Sequence, residues 1–214
     1  MPTWIVTDAD NFDAANTADI AGSTLSTGGH TWEALGGSTG AIGRLGTLAE
    51  HLSGVTKYAV NGMTSLGTCK VEYIRKGVQF GITWRIVDTD NYYMLYTGVT
   101  GTEKLQFWRI VATVFTKLAD GTTTVVDNDV ISVEAIGSDH TVKINGTTEL
   151  TVSDASHASG RAGLWSDTGS ASYLNDFAAY QGAGSAGRLI GGGLVGGGKL
   201  LYSRLASGRR RGDR

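Results

Sequence analysis

Asp88 and Asp90 stand two residues apart in Val87-Asp-Thr-Asp-Asn-Tyr-Tyr93, with Arg85 just before them and Tyr93 and Tyr96 just after. They are the best candidates in the chain for a functional pair of carboxylates, but Asp-x-Asp-Asn is also turn chemistry, because short polar side chains bond their own backbone. Other chemistries find less support. A retaining glycosidase needs two carboxylates facing each other across the scissile bond, whereas Glu72, Glu103, Glu134 and Glu149 are isolated, none with an acidic partner two residues away. The expectation is therefore no enzyme. His30, His51, His140 and His157 are scattered, with no His-x-x-x-His spacing or cysteine pair of the kind that holds zinc. The run Gly191 to Lys199 is not a phosphate loop: Leu200 follows the lysine where Ser or Thr is needed. Asn145-Gly-Thr147 fits a glycosylation acceptor and Arg211-Gly-Asp213 an integrin-recognition tripeptide; a hairpin turn and coincidence explain them.

The elements that hold these residues read as strands. Ile82, Trp84 and Ile86 alternate with Thr83 and Arg85, the period of two that puts apolar groups on one face. Asp88 to Asn91 turns the chain, and Tyr92 to Thr97 runs back as a second strand. Such a hairpin, rich in Trp, Ile and Tyr, belongs near the centre of a sheet. Short β-prone runs precede it at Trp4 to Phe12, Thr31 to Ala34, Ile42 to Arg44, Thr47 to His51, Lys57 to Val60 and Thr68 to Ile74. Asp13 to Gly29 reads as a long surface connection. Leu105 to Ala112 carries large apolar groups on both faces, so it is either covered twice or presents an aromatic patch. Val114 to Leu118 follows, with Asp120-Gly121 as a hairpin turn. Asn145-Gly146 turns a second hairpin, and Arg161 to Trp165 and Ser172 to Tyr180 close the set. Trp84, Trp108, Trp165 and Phe177 are expected in or against the inter-sheet core.

Composition agrees with one all-β domain. Of 214 residues 41% are hydrophobic, and 32 glycines stand against one proline, which points to many tight turns. Cys69 is alone and forms no internal disulfide; it reads as a small buried apolar group. Met-Pro-Thr-Trp-Ile-Val has no basic region or long apolar run, so the expectation is a product made in a cytoplasm without membrane insertion. Residues 181–214 hold seven Lys and Arg against Asp213, so the chain's net charge of −2 divides into +6 there and −8 before it. The expected division is a sandwich over 1–180 and a Gly-rich basic arm over 181–214. In the arm Leu194, Val195, Leu200 and Leu201 are anchors for pockets on a neighbouring subunit, with Arg209, Arg210 and Arg211 on its carboxylates. Nucleic acid is the rival partner for three adjacent arginines.

The order Phe12 … Trp32, Val87-Asp-Thr-Asp-Asn-Tyr-Tyr93, Val142-Lys-Ile-Asn-Gly146, Gly160-Arg-Ala-Gly-Leu164 and Asn175-Asp-Phe177 resembles the concanavalin A-like lectin/glucanase jelly roll, in its laminin-G-like branch. The opening, Asp10-Asn-Phe-Asp-Ala-Ala-Asn16 followed by a Gly-rich connection to Trp32, resembles such domains in minor tail proteins of phages that infect actinobacteria. The resemblance covers residues 8–180. It implies an antiparallel two-sheet jelly-roll sandwich whose rim binds carbohydrate, with Arg85, Asp88, Asp90, Tyr93 and Tyr96 as the residues in question. It also implies Ca²⁺ as a cation that Asp88 and Asp90 could hold, since calcium takes oxygen ligands. Glucanases of this fold resemble one another in a Glu-x-Asp-x-x-Glu strand, which this sequence lacks.

Two function classes follow. One is a virion component of the tail tip that contacts host-surface glycans and is held in the particle, among like subunits, by its arm. The other is a structural virion protein, a capsid decoration subunit or tail brace, that binds only other subunits.

Overall fold

The computed structural model describes residues 2–14, 17–63, 65–98, 103–167 and 173–183. The arm residues Leu194, Val195, Leu200, Leu201, Arg209, Arg210 and Arg211, and the tripeptide Arg211 to Asp213, lie outside the described residues. In chain order the strands are β1 (Thr3–Asp10), β2 (Thr31–Ala34), β3 (Ala41–Leu45), β4 (Leu48–Ser53), β5 (Thr56–Asn61), β6 (Cys69–Arg75), β7 (Phe80–Asp88) and β8 (Asn91–Thr97). They continue as β9 (Lys104–Val111), β10 (Val114–Thr124), β11 (Val130–Ile136), β12 (Asp139–Ile144), β13 (Thr147–Ser153), β14 (Arg161–Ser166) and β15 (Tyr173–Ala183).

They form two antiparallel sheets, a jelly-roll sandwich. One sheet has the order β13-β12-β11-β6-β15-β4-β3, with β1 also on β15; the other has β10-β9-β8-β7-β14-β5-β2. The hairpin of β7 and β8 sits in the middle of the second sheet, as its composition predicts. Inward residues of both sheets make the core. Val71 and Tyr73 on β6, Ile82 and Trp84 on β7, Leu95 on β8 and Phe107 on β9 are almost wholly shielded from solvent. Trp84 packs on Tyr93 and Phe107 at ring centroid separations of 5.7 and 5.1 Å. Its indole Nε1 donates to His140 Nδ1 (3.2 Å), and His140 Nε2 lies 3.2 Å from the Asp154 carbonyl oxygen. Burial pushes the imidazole pKa down to about 4, so His140 is a neutral core residue. Cys69 is also buried in this core.

Four expectations are corrected. Trp165 and Trp108 belong to a second apolar cluster, on the opposite face of the seven-stranded sheet from the core, because each alternates with core residues (Leu164 and Phe107). Asp120-Gly121 is not a hairpin turn. The turn is Ala112-Thr113, both at positive φ (47° and 68°), and Asp120-Gly121 lies in a bulged stretch of β10. There the Glu149 carboxylate on β13 accepts the backbone N–H groups of Thr122 and Thr123 and their hydroxyls, replacing ladder bonds. The stretch from Asp13 to Gly29 is no simple surface connection: Ile20 and Leu25 are buried, and bridges tie Thr17 to Arg44 and Thr24 to Thr31 along the edges of β3 and β2. Finally, β15 does not stop at Tyr180 but runs to Ala183, where Gly182 N donates to the Thr68 carbonyl.

The spacing of Phe12 and Trp32 has a physical basis in Asp10. Its buried carboxylate accepts from Phe12 N (3.0 Å), Ser26 Oγ (3.1 Å), Trp32 Nε1 (2.8 Å) and Arg44 Nη2 (2.9 Å). One charge thereby joins β1, β2, β3 and the segment between them, with each carboxylate oxygen satisfied as a buried anion requires.

Candidate functional site

Side chains of the seven-stranded sheet that do not enter the core project from its other face. Strand pairing aligns them: Met94 on β8 lies beside Trp108 on β9, which lies beside Lys117 on β10; Tyr96 lies beside Gln106, and Ile110 beside Phe115. From β14 comes Trp165, whose ring meets that of Tyr96 edge to face at a centroid distance of 4.9 Å. Together with Val55 and Asp167 these aromatic residues and Met94 line a groove of about 460 Å³. Phe115, 50% exposed, stands as one wall.

Polar groups border this apolar floor. Trp108 Nε1 donates to Gln106 Oε1 (3.2 Å), and Lys117 Nζ lies 5.9 Å from the Trp108 ring centroid while pairing with Asp120 at 2.8 Å. Lys57 Nζ donates to the Thr89 carbonyl (2.8 Å) at 5.7 Å from the Tyr92 ring. Desolvation lowers its pKa, opposed by the Asp90 carboxylate. Arg161 pairs with Glu33 farther along the same face. Three polar atoms under this face have no hydrogen-bond partner among the described residues: Thr83 Oγ1, Tyr92 Oη and Trp165 Nε1. An unpaired buried polar atom costs roughly 1–3 kcal/mol, and such atoms call for an explanation that core packing does not give. Burial, helped by Asp90, raises the Tyr92 pKa, so its phenol stays protonated.

The five residues expected at the carbohydrate site fall in four different places. Tyr96 lines the groove. Tyr93 is not an exposed aromatic: it points into the core, where its hydroxyl donates to Asp154 Oδ1 (2.6 Å) and accepts from His157 N (3.1 Å). Arg85 is 1% exposed and lines a separate pocket at one end of the sandwich. Asp88 is a turn residue. Its Oδ1 accepts from Asp90 N (2.8 Å) and both oxygens accept from Asn91 Nδ2 (2.8 and 3.0 Å), bonds that lower its pKa. Asp90 sits in the same turn, its carbonyl bonded by Thr113 N. A calcium ion needs several oxygen ligands, and among the described residues no three His, Cys, Asp or Glu side chains cluster to hold a metal. The hydrogen bonds of Asp88 are those of the turn itself.

Sequence reasoning did not single out Phe115 and Trp165 as groove residues, and it placed Trp108 in the core although an aromatic patch was one of the two readings of Leu105 to Ala112. The signal was there: Phe107-Trp108 and Leu164-Trp165 each place bulky groups on successive positions, hence on both faces of one strand.

No protein-family model matches the sequence, and no curated protein matches it. The fold does have solved counterparts. The chain is similar to the carbohydrate-binding module CBM66 from Bacillus subtilis, at 16% identity and a TM-score of 0.51, over 71% of this chain and 92% of that one. It is similar to domain 4 of AbnA, an extracellular GH43 arabinanase from Geobacillus stearothermophilus solved with arabinotriose, at 16% identity and TM-score 0.51, over 84% of this chain and 93% of that one. The carbohydrate recognition domain of Emp47p matches at 10% identity and TM-score 0.51, over 82% and 97%. At these identities the likeness is one of fold: this is a jelly roll of the lectin and glucanase kind.

Proposed function

We propose that this chain is a non-catalytic glycan-binding module whose site is the aromatic groove on the outer face of the seven-stranded sheet. The observation that carries the reading is the set of four aromatic rings, Tyr96, Trp108, Phe115 and Trp165, on one groove bordered by Gln106, Lys57 and Asp167. Sugar rings present C–H faces that stack on aromatic faces and hydroxyls that bond polar groups at the border, which is the usual division of labour in a small-ligand site. The similar solved modules add support, since CBM66 is a carbohydrate-binding module and the AbnA domain was solved in complex with arabinotriose.

In the wider setting we read the chain as a virion protein, made in the host cytoplasm and borne on a phage tail tip, on the strength of its opening residues Asp10 to Asn16. Its basic arm then holds it among other subunits, and many copies on one particle make weak binding to host glycans effective. A second reading, a structural subunit without glycan binding, draws on the exposure of Phe115 (50%) and its neighbour Val114 (63%), which suit coverage by another protein.

A glycan array with the whole chain separates the two. We expect binding that is lost in Trp108→Ala and Phe115→Ala, both partly exposed and tolerant of truncation. An array with no binding, or binding indifferent to both substitutions, overturns the groove as a glycan site and favours the structural reading.

A further inference from the structure

At the end of the sandwich where β6 begins and β7 ends, the chain departs from regular strand geometry. The pairing of β7 shifts register between Trp84 and Asp88 on β8 and between Arg161 and Gly163 on β14, so β7 carries a bulge at this point. Arg85 lies in it at φ 48°, a left-handed conformation that a long side chain adopts only under constraint. Bulges re-aim side chains. Here the bulge turns Arg85 away from the groove and into the space between the two sheets.

The guanidinium is nearly sealed, and its partners are neutral. Arg85 Nε and Nη2 donate to the Gly67 carbonyl (3.2 and 2.8 Å), and Nη1 donates to the His157 carbonyl (3.0 Å). The Cys69 thiol also lies against it, with a pKa pushed up to about 11 by burial, so it is uncharged. Asp154, the nearby carboxylate, is engaged by Arg109 at 2.9 Å, by Tyr93 and by Ser156 N. No ion pair to Arg85 exists among the described residues. A buried cation without a counter-ion is expensive, and carbonyl dipoles offset only part of the cost.

The space in front of it is open. Gly67, Thr68, Gly137, Ser138, Ala155 and Ala158 line, with Arg85, a pocket of about 310 Å³. Every one of these neighbours is small, and three connections contribute them: the approach to β6, the turn between β11 and β12, and the link from β13 to β14. We propose that this pocket is a second binding site, distinct from the groove, that takes the carboxylate of a small organic acid, an acidic sugar included, with Arg85 as its counter-charge. A single guanidinium matches one negative charge, and with three of its five N–H groups given to the two carbonyls, one on Nη1 and one on Nη2 are left for a carboxylate. Ser138 and Thr68 are the two lining residues with hydroxyl groups to offer the body of the ligand. This site does not depend on what the groove binds.

The test is titration of the whole chain with acetate, glucuronate, glucose and inorganic phosphate, read by thermal shift and by chemical-shift changes at Gly67 and Ser138. Acetate and glucuronate should raise the melting temperature and move those signals, while glucose leaves them still. Arg85→Lys keeps the charge but not the fork and should weaken carboxylate binding by about tenfold or more. Since a change at Arg85 can disturb folding, Ala158→Leu is the second variant: it fills the pocket from an exposed position and should abolish the carboxylate response without lowering the parent melting temperature. No response to either acid overturns the proposal. So does a response that survives Ala158→Leu, which places binding elsewhere, or a response to phosphate alone, which removes the carboxylate assignment. In all these outcomes the groove and its glycan-array test stand unaffected.

Discussion

Tyr96 and Trp165 touch although they belong to strands that are not neighbours. They meet at 89° between ring planes across β7, because the residue that lies between them, paired with both, is Gly81. A side chain there would separate the two rings and divide the groove. A Cβ at Gly81 would also run into the Leu95 carbonyl oxygen, so the backbones of β7 and β8 approach closely only because of the glycine.

Gly81→Ala should therefore destabilise the fold by about 1–3 kcal/mol, the usual range for overpacking, and weaken glycan binding as well. Chemical denaturation and near-ultraviolet circular dichroism, which reports the Tyr96–Trp165 contact, measure both effects. Wild-type stability in this variant would mean that β7 and β8 are not in the register described.

The two tryptophans on either side of the sheet should behave oppositely. Trp84→Ala empties the centre of the core and should cost about 3–5 kcal/mol. Trp108→Ala, on the outer face and only half-buried, should leave stability nearly unchanged and remove glycan binding. Equal melting temperatures for parent and Trp84→Ala would refute the core assignment.

Acid should destabilise the protein in two steps whose order is set by two residues. His140 is held neutral down to a pKa of about 4 by burial, while in the unfolded chain it protonates near pH 6.5. Between those values the unfolded state binds more protons, so stability falls as pH drops, by roughly 3 kcal/mol in all. Asp154 follows. Desolvation works against its charge, but bonds from Tyr93, Ser156 and Arg109 hold its pKa down to about 2, so its contribution is lost as pH falls from about 4 toward 2. Urea midpoints measured across pH test this, and His140→Phe should flatten the profile above pH 4. A flat profile in the parent between pH 6.5 and 4 would contradict a neutral His140.

Glu149 makes a testable clamp between the sheets. Glu149→Ala should cost about 1 kcal/mol and speed hydrogen exchange at the Thr122 and Thr123 amides, with Glu149→Gln restoring most of the protection. Those amides sit on the edge strand β10. In the parent they are turned to β13 and so are withheld from any foreign strand, a common safeguard of sheet edges. Unchanged exchange in Glu149→Ala would show that the carboxylate is not their acceptor.

The arm can be tested without disturbing the body only if β15 is left whole. A chain ending at Ala183 keeps the bond from Gly182 N to the Thr68 carbonyl and should remain folded and monodisperse; under the virion role proposed above, it should fail to enter particles. Normal incorporation would remove the case for an assembly role.

The strands were legible where polar and apolar residues alternate. The period of β6, the central hairpin of β7 and β8, and the Asn145-Gly146 turn between β12 and β13 all have local causes. What escaped reading depends on partners far along the chain. Asp120-Gly121 has the composition of a turn, but Asp120 pairs with Gln106 on β9 and the Glu149 carboxylate holds the next two residues, Thr122 and Thr123, so the strand continues through it. Tyr93 and Tyr96 look equivalent in sequence, but three positions along one strand place them on opposite faces. Arg85 would have faced the groove by simple alternation, and the bulge sends it to the end pocket. Groove residues such as Trp108 and Trp165 were assigned to the core because bulky groups at successive positions show that both faces of a strand are apolar but not which of the two faces the core.

The pairing of β1 with β15 has a consequence for how the chain is made. Of the strands described, β1 comes first in the sequence, yet its partner is β15, which comes last, and β6, in the interior of the same sheet, needs that strand too. Until Ala183 has emerged, β1 and one edge of β6 have no ladder to join. The eight-stranded sheet therefore cannot close progressively during synthesis; it waits for completion and then folds through contacts between distant parts of the chain, on the slow side for a domain of this size. A premature stop ahead of Leu174, Phe177 and Ala179, the core residues of β15, should leave not a trimmed module but one that never assembles its core.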